Sequence, residues 1–296
     1  MMNSTRTLHA FEPDLVPAEA LASALGCPCH LITHHAFPDG ESLVRIVPSG
    51  PGAILYRRLD QPNGKLVELL LAADALAVAN PRPALAVPYL PYMRQDAAFH
   101  PGEAVSQRVI GRLLGQAFST IATIEPHLHR VDRLDTILPG ATALALSAAP
   151  ALAELVGTAV ARPLLVGPDG ESARLVGALA ERTACDWFTL EKRRLGDRSV
   201  SQELPPHASI AGRHVLLVDD ICSTGVTLAE AARLIASAGA ASIEALVVHA
   251  NFDRTAAALM RDADIARVRS TDTLAHPSNA VSVTSLLAGA LQRTFP

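Results

Sequence analysis

Residues 215–227 read Val-Leu-Leu-Val-Asp-Asp-Ile-Cys-Ser-Thr-Gly-Val-Thr, and this segment limits the possible folds more than any other in the 296-residue chain. A run of leucine and β-branched residues from His214 to Val218 predicts a buried strand. The run meets two carboxylates, Asp219 and Asp220. A loop of small residues follows, opening a helix from about Thr227 to Ala238 that Gly239 stops. Free backbone N–H groups at such a helix start favour an anion, and the hydroxyls of Ser223, Thr224 and Thr227 add donors. Two acids at the strand end can hold sugar hydroxyls. With Gly225 and Val226 completing the loop, the segment reads as a sugar-phosphate site.

The rest of the chain repeats the same alternation. Amphipathic spacing predicts helices over Asn63–Ala79, Ser106–Gln116 and Ser172–Arg182. Apolar runs predict strands at Ala84–Pro88, Ile121–Ile124, Pro163–Val166, Ile243–His249 and Val281–Val283. Strand–helix alternation of this length implies parallel sheets covered on both faces. The Ala-rich stretch Pro139–Val160 is taken as the junction of two such series, with a helix beginning near Ser147. The expected fold class is α/β, with two similar domains, each a mainly parallel sheet flanked by helices. The first spans 1–145 and the second 146–275, while 276–296 packs back on the first.

Composition removes several functional classes. Hydrophobic residues at 49% and charged residues at 18% supply a core, which excludes a disordered chain. A formal charge of −4 lacks the basic excess of a nucleic-acid binder. No apolar run reaches the ~18 residues of a membrane span; the most apolar stretch, Leu69–Ala79, is broken by Asp74. The first ten residues lack the charged-then-apolar order of a signal peptide, and four cysteines form no disulfide framework, so the expected location is cytoplasmic. Cys27, Cys29, His30, His34 and His35 lack a second pair spaced for tetrahedral zinc and read as strand and loop residues. Cys222 reads as a small filler.

Of the 25 basic residues only Lys65 and Lys192 are lysine. Lys192 lies in Leu190–Arg198, a charged stretch with a glycine and no apolar period, expected to be a mobile loop. A lysine retained beside two arginines suits a task for a compact point charge.

The segment Asp219–Thr227 resembles the phosphoribosyl-diphosphate loop of the type I phosphoribosyltransferase fold. Four more segments, in order, resemble the ribose-phosphate diphosphokinase family. Phe37-Pro-Asp-Gly-Glu41 is similar to its nucleotide segment. Pro91-Tyr-Met-Arg-Gln-Asp96, with Pro101-Gly-Glu and Ser106, is similar to its Y-x-R-Q-D…PGE-x-x-S segment. Gly167-Pro-Asp169 is similar to its S-P-D strand end, and Lys192-Arg-Arg194 to its K-R-R catalytic loop.

The resemblance implies transfer of the diphosphoryl group of ATP to the anomeric hydroxyl of ribose 5-phosphate. It assigns ATP contacts to Phe37, Asp39, Glu41, Arg94 and Gln95, and ribose 5-phosphate to residues 219, 220 and 223–227. Lys192 and Arg194 become the catalytic pair. His129 and Asp169 lie near Mg²⁺, with Mn²⁺ as a substitute, and the protein is a homo-oligomer. Several positions depart from the family pattern. His127-Leu-His129 replaces its D-L-H, leaving Glu125 as a possible carboxylate. Val226 replaces a glycine, and Glu171 and Ser172 replace small residues. Residues 97–100 lack the family's charges. Two rivals stay open: a phosphoribosyltransferase, and a silent paralogue that modulates a partner.

Overall fold

The computed structural model describes residues 6–77, 82–128, 130–131, 133–157, 162–194 and 200–294; for 192–194, 200 and 201 the description covers the backbone. Contacts divide the chain into two compact units. Unit 1 takes residues 1–146 and 283–296, and unit 2 takes 147–282.

Unit 1 begins with β1 (Thr7–Phe11), α1 (Leu15–Leu25), β2 (Cys29–Ala36), β3 (Ser42–Arg45) and β4 (Ala53–Tyr56). It continues with α2 (Pro62–Ala77), β5 (Ala84–Ala86), α3 (Ser106–Ala117), β6 (Thr120–Ile124) and β7 (Thr142–Leu146). The sheet order is β3-β2-β1-β4-β5-β6-β7. Only β2 and β3 are antiparallel, forming a hairpin with Ala36 opposite Ser42. Leu8, Ile54, Leu55, Leu85 and Ile121 are fully buried, as strands covered on both faces require. Each such side chain contributes roughly 1.5–3 kcal/mol.

Unit 2 contains α4 (Ala149–Gly157), β8 (Leu164–Gly167), α5 (Ala173–Thr183), β9 (Trp187–Thr189), β10 (Glu191–Arg194) and β11 (Val200–Glu203). It then runs through β12 (His214–Cys222), α6 (Val226–Ser237), β13 (Ser242–Ala250), α7 (Arg254–Arg261), β14 (Ile265–Thr271) and β15 (Asn279–Val281). Its main sheet, ordered β15-β14-β13-β12-β8-β9, is parallel throughout. A last helix, α8 (Thr284–Thr294), belongs to unit 1.

Three expectations need correction. Residues 142–146, inside the presumed Ala-rich junction, form β7, which pairs in register with all of β6. Alanine has weak strand preference, and tertiary pairing overrides it. The stretch expected to be a mobile loop contains β10, antiparallel to β11 with Lys192 opposite Gln202. Residues 195–199 of that stretch lie outside the described residues. The third concerns β12, which extends past Val218 through both carboxylates to Cys222. No helix among the described residues is long and apolar enough to cross a membrane.

Candidate active site

In an open parallel sheet the crevice for ligands lies outside the carboxyl ends of adjacent strands whose connections run in opposite directions. In unit 2 those strands are β8 and β12: β12 leads through α6 to β13, and β8 leads through α5 to β9 on the other side. The segments ending these two strands are Pro168-Asp169 and Asp219-Asp220, so the expected ribose and metal carboxylates converge on one crevice.

Asp169 is 6% exposed. Its Oδ1 accepts the backbone N–H of Glu171 at 2.9 Å, capping the 3₁₀ turn Gly170–Ser172, and Ser172 Oγ donates to its carbonyl at 2.7 Å. Glu171 and Ser172 are thus turn residues, and the family's smaller side chains are not required for the turn to close. Asp219 Oδ1 accepts the N–H of Asp220 at 3.0 Å. Burial, with the carboxylates of Asp220 and Asp169 nearby, holds the Asp219 carboxyl well above its ordinary range.

The loop beyond these acids turns through Gly225, with φ +75°, into α6. A Cβ at Gly225 would stand 3.1 Å from the Ala256 carbonyl oxygen and 3.1 Å from Met260 Cγ. This glycine is therefore demanded both by backbone angle and by close packing of α7. The valine at 226 is the first residue of α6 and is 46% exposed, so its side chain points to open space. Cys222 is buried with Sγ 3.7 Å from Met260 Sδ, and burial, then the Asp219 charge, pushes its thiol up to about 12. It is inert packing.

The β10–β11 hairpin reaches the same crevice. Gln202 Nε2 donates to the Pro168 carbonyl at 2.8 Å and lies 3.4 Å from that of Thr227. Lys192, its ladder partner, is thereby held by backbone register beside the segments that carry Asp169 and the phosphate loop. Sequence reasoning missed Gln202 because its partners lie 34 and 25 residues away.

The nucleotide candidates belong to unit 1. Phe37, Asp39 and Glu41 form the exposed tip joining β2 to β3. There Phe37 N–H donates to the Glu41 carbonyl at 2.8 Å, Asp39 Oδ1 accepts Glu41 N–H at 3.1 Å, and the His35 ring meets that of Phe37 edge-on at 4.7 Å. Phe37 is 40% exposed, available for stacking and not committed to the core. Arg94 and Gln95 lie in a turn ordered from both sides. Ser106 Oγ donates to Gln95 Oε1 at 3.0 Å, and buried Gln107 Nε2 donates to the Met93 carbonyl at 3.2 Å. Asp96 pairs with Arg130. Among the described residues no hydrogen bond or ion pair joins Phe37, Asp39 or Glu41 to Arg94 or Gln95.

His129 lies outside the described residues. Nearby Glu125 is 5% exposed at the end of β6 with φ +37°, an angle that costs a non-glycine residue about 1–3 kcal/mol and persists only where surroundings enforce it. Among the described residues no three His, Cys, Asp or Glu side chains converge to hold a metal by themselves.

The corresponding crevice of unit 1, outside β1 and β4, is filled by the protein's own ions. Buried Asp14 accepts from Arg58 Nε at 2.7 Å and from Arg57 Nη1 at 3.5 Å. Arg57 also pairs with Glu68 and stacks 4.0 Å above the Phe11 ring. Glu68 Oε1 in turn lies 3.3 Å from His34 Nε2, on the strand leading to the nucleotide tip. Nothing in the local sequence pattern marks these residues as a cluster.

Comparisons with known proteins agree with this architecture. A profile described as the N-terminal domain of ribose phosphate pyrophosphokinase matches residues 12–117, and the phosphoribosyl transferase domain matches residues 141–286. The chain is 32% identical over 272 residues to ribose-phosphate pyrophosphokinase 2 of Archaeoglobus fulgidus, covering 92% of this chain and 94% of that one. It is 34% identical over 282 residues to ribose-phosphate pyrophosphokinase of Methanosarcina acetivorans, covering 93% and 95%. The crystal structure of phosphoribosylpyrophosphate synthetase from Mycobacterium smegmatis superposes with a TM-score of 0.83 at 23% identity, over 98% of this chain and 99% of that one, which shows a shared fold.

Proposed function

The chain belongs to the ribose-phosphate pyrophosphokinase family, and we propose that the strand ends and loops described above are the machinery by which it transfers the diphosphoryl group of ATP to the anomeric hydroxyl of ribose 5-phosphate. The hydroxyl oxygen forms a bond to the β-phosphorus, the bond from that phosphorus to the oxygen of the α-phosphate breaks, and the hydroxyl proton is released. The products are 5-phosphoribosyl diphosphate and AMP. Such a transfer needs positioning and charge neutralisation more than covalent help.

The observation that carries this reading is the convergence in unit 2 of Asp169, Asp219, Asp220 and a glycine-turned helix start at adjacent strand ends. Ser223, Thr224, Gly225, Val226 and Thr227 present N–H and hydroxyl donors to the 5-phosphate, and the Asp219-Asp220 pair accepts from the ribose hydroxyls. Phe37 stacks on adenine, Asp39 and Glu41 accept from the nucleoside, and Arg94 with Gln95 contacts its phosphates. Lys192 and Arg194 carry charge to the transferred group as its oxygens become more negative.

A divalent cation fits the acids of unit 2: burial, then the neighbouring carboxylates of Asp220 and Asp169, holds the Asp219 carboxyl up, and a nearby cation would offset the charge part of that cost. Asp169, with His129, would hold Mg²⁺, or Mn²⁺ in its place. When bound it neutralises phosphate charge. The protein is further proposed to act in the cytoplasm as a homo-oligomer. A phosphoribosyltransferase reading is disfavoured by the N-terminal domain match, which such a reading leaves without a task. Measuring AMP released from ATP and ribose 5-phosphate tests the proposal. Stoichiometric AMP and phosphoribosyl diphosphate support it, and their absence from folded protein supports the silent-paralogue alternative.

A further inference from the structure

Lys192 is held in a two-stranded ladder of few residues, and such a ladder is marginal by itself. Something must fix it against the body of unit 2. The contact that does so is made by the residue opposite Lys192. In the antiparallel register Gln202 lies directly opposite Lys192, so whatever fixes the backbone of one fixes that of the other.

The Gln202 amide has two ends with different situations. Its Nε2 reaches the Pro168 carbonyl at 2.8 Å and approaches the Thr227 carbonyl at 3.4 Å. Both partners can only accept, so they fix which end of the amide carries the hydrogens. Its Oε1 therefore faces away from them, and it is buried with no hydrogen-bond partner. A buried carbonyl oxygen left without a donor is costly, and native proteins tolerate few of them.

Resting on the role proposed above for Lys192, we infer that Gln202 is a positioning residue for it. The Nε2 end ties the ladder to the segment before Asp169 and to the last residue of the phosphate loop. Its Oε1 takes no part in this tie, so the amide holds the ladder through Nε2 alone. Through this one amide the metal-side strand end, the phosphate loop and the catalytic strand are held in a common frame. An apolar residue of the same length would pack but would leave the ladder untethered from Pro168 and Thr227.

The experiment is a double-mutant cycle on AMP release at saturating substrates. Gln202→Met keeps length and removes both polar ends. Its kcat is expected to fall about tenfold, with the KM for ATP and for ribose 5-phosphate each within about twofold of wild type, the signature of an interaction felt in the transition state. Introduced into Lys192→Ala, the same substitution should cause no further loss, because the group it positions is gone. Gln202→Asn, too short to reach Pro168, should behave as Gln202→Met does and covers the case in which the methionine variant does not fold. An unchanged kcat in either folded variant, or losses that multiply in the double variant, overturns the role of Gln202. Wild-type protein that releases no AMP overturns the functional reading instead, so the two failures are distinct.

Discussion

The backbone N–H of Asp220 donates to the Asp219 carboxylate at 3.0 Å, so the two acids at the end of β12 are a coupled pair whose side chains do different work. Asp219 is turned inward on its neighbour's amide. Asp220 is the acid proposed above to meet a sugar hydroxyl. Asp220→Ala should raise the KM for ribose 5-phosphate by about 5- to 150-fold, the equivalent of roughly 1–3 kcal/mol for polar groups left unpaired. Initial rates at varied ribose 5-phosphate check this; a constant unchanged in folded protein removes Asp220 from the sugar site.

Cation dependence should be visible even without turnover. Because burial, then the carboxylates of Asp220 and Asp169, disfavours the charged state of Asp219, millimolar Mg²⁺ should raise the melting temperature of the wild-type chain. Asp169→Asn should melt higher than wild type without the cation and gain less from it. Activity should vanish in excess chelator and return with Mg²⁺ or Mn²⁺. Full turnover in chelator would falsify the cation requirement, and full turnover in a His129→Ala/Asp169→Ala variant removes those two side chains from it.

Lys192→Ala should lower kcat by at least ~100-fold with ATP binding little changed, the pattern of a charge used in the transition state. Arg194→Ala should do the same less severely. Lys192→Arg should also fail, since a planar, directional guanidinium does not replace a compact ammonium. Steady-state kinetics paired with nucleotide titration separate these effects, and near wild-type turnover in Lys192→Ala removes that residue from the chemistry.

Gly225→Ala tests the loop itself. At φ +75° with backbone 3.1 Å from the added carbon, the substitution should destabilise unit 2 by about 1–3 kcal/mol and weaken ribose 5-phosphate binding. Denaturant unfolding with and without the sugar phosphate measures both; equal stability means that the turn relaxes without cost.

His9 offers a test remote from the chemistry. It is fully buried, its Nδ1 has no hydrogen-bond partner, and burial, then the nearby His30, lowers its pKa to about 4. The fold therefore keeps it neutral, while the unfolded chain takes up a proton below about pH 6.5. Stability should be unaffected by this group above that pH and should fall as pH descends from about 6.5 to 4. Between pH 7 and 5 the wild type should lose on the order of 1–2 kcal/mol more than His9→Phe. Equal losses in urea titrations of the two proteins would show that His9 is free to protonate in the fold.

The legible part of this molecule was local. Val215–Thr227 announces strand, acids, turn and helix within one window, because each element there follows from neighbouring residues. The unread part depends on distance along the chain. β7 is built from Thr142–Leu146, a stretch of alanine, leucine and threonine whose strand character comes from β6. β10 is a basic run with no period that becomes a strand only when Val200–Glu203 lies beside it. The Asp14–Arg57–Glu68 cluster joins residues 43 and 11 positions apart, and Gln202 finds Pro168 across 34. Side chains that meet across such intervals leave no spacing pattern to read.

Helix α8 lies against α1, β6 and β7 of unit 1, and Gln292 Nε2 donates to the Ala24 carbonyl at 2.9 Å. Unit 1 is therefore completed by residues that follow the whole of unit 2 in the chain. Unit 2, contained in residues 147–282, has all of its strands available before then. During synthesis, at about 5–20 residues per second, the second unit can finish while the first still waits with one helix-covered surface bare. For these two units the order of synthesis and the order of completion are reversed, and a nascent chain halted before residue 283 carries an unfinished unit 1.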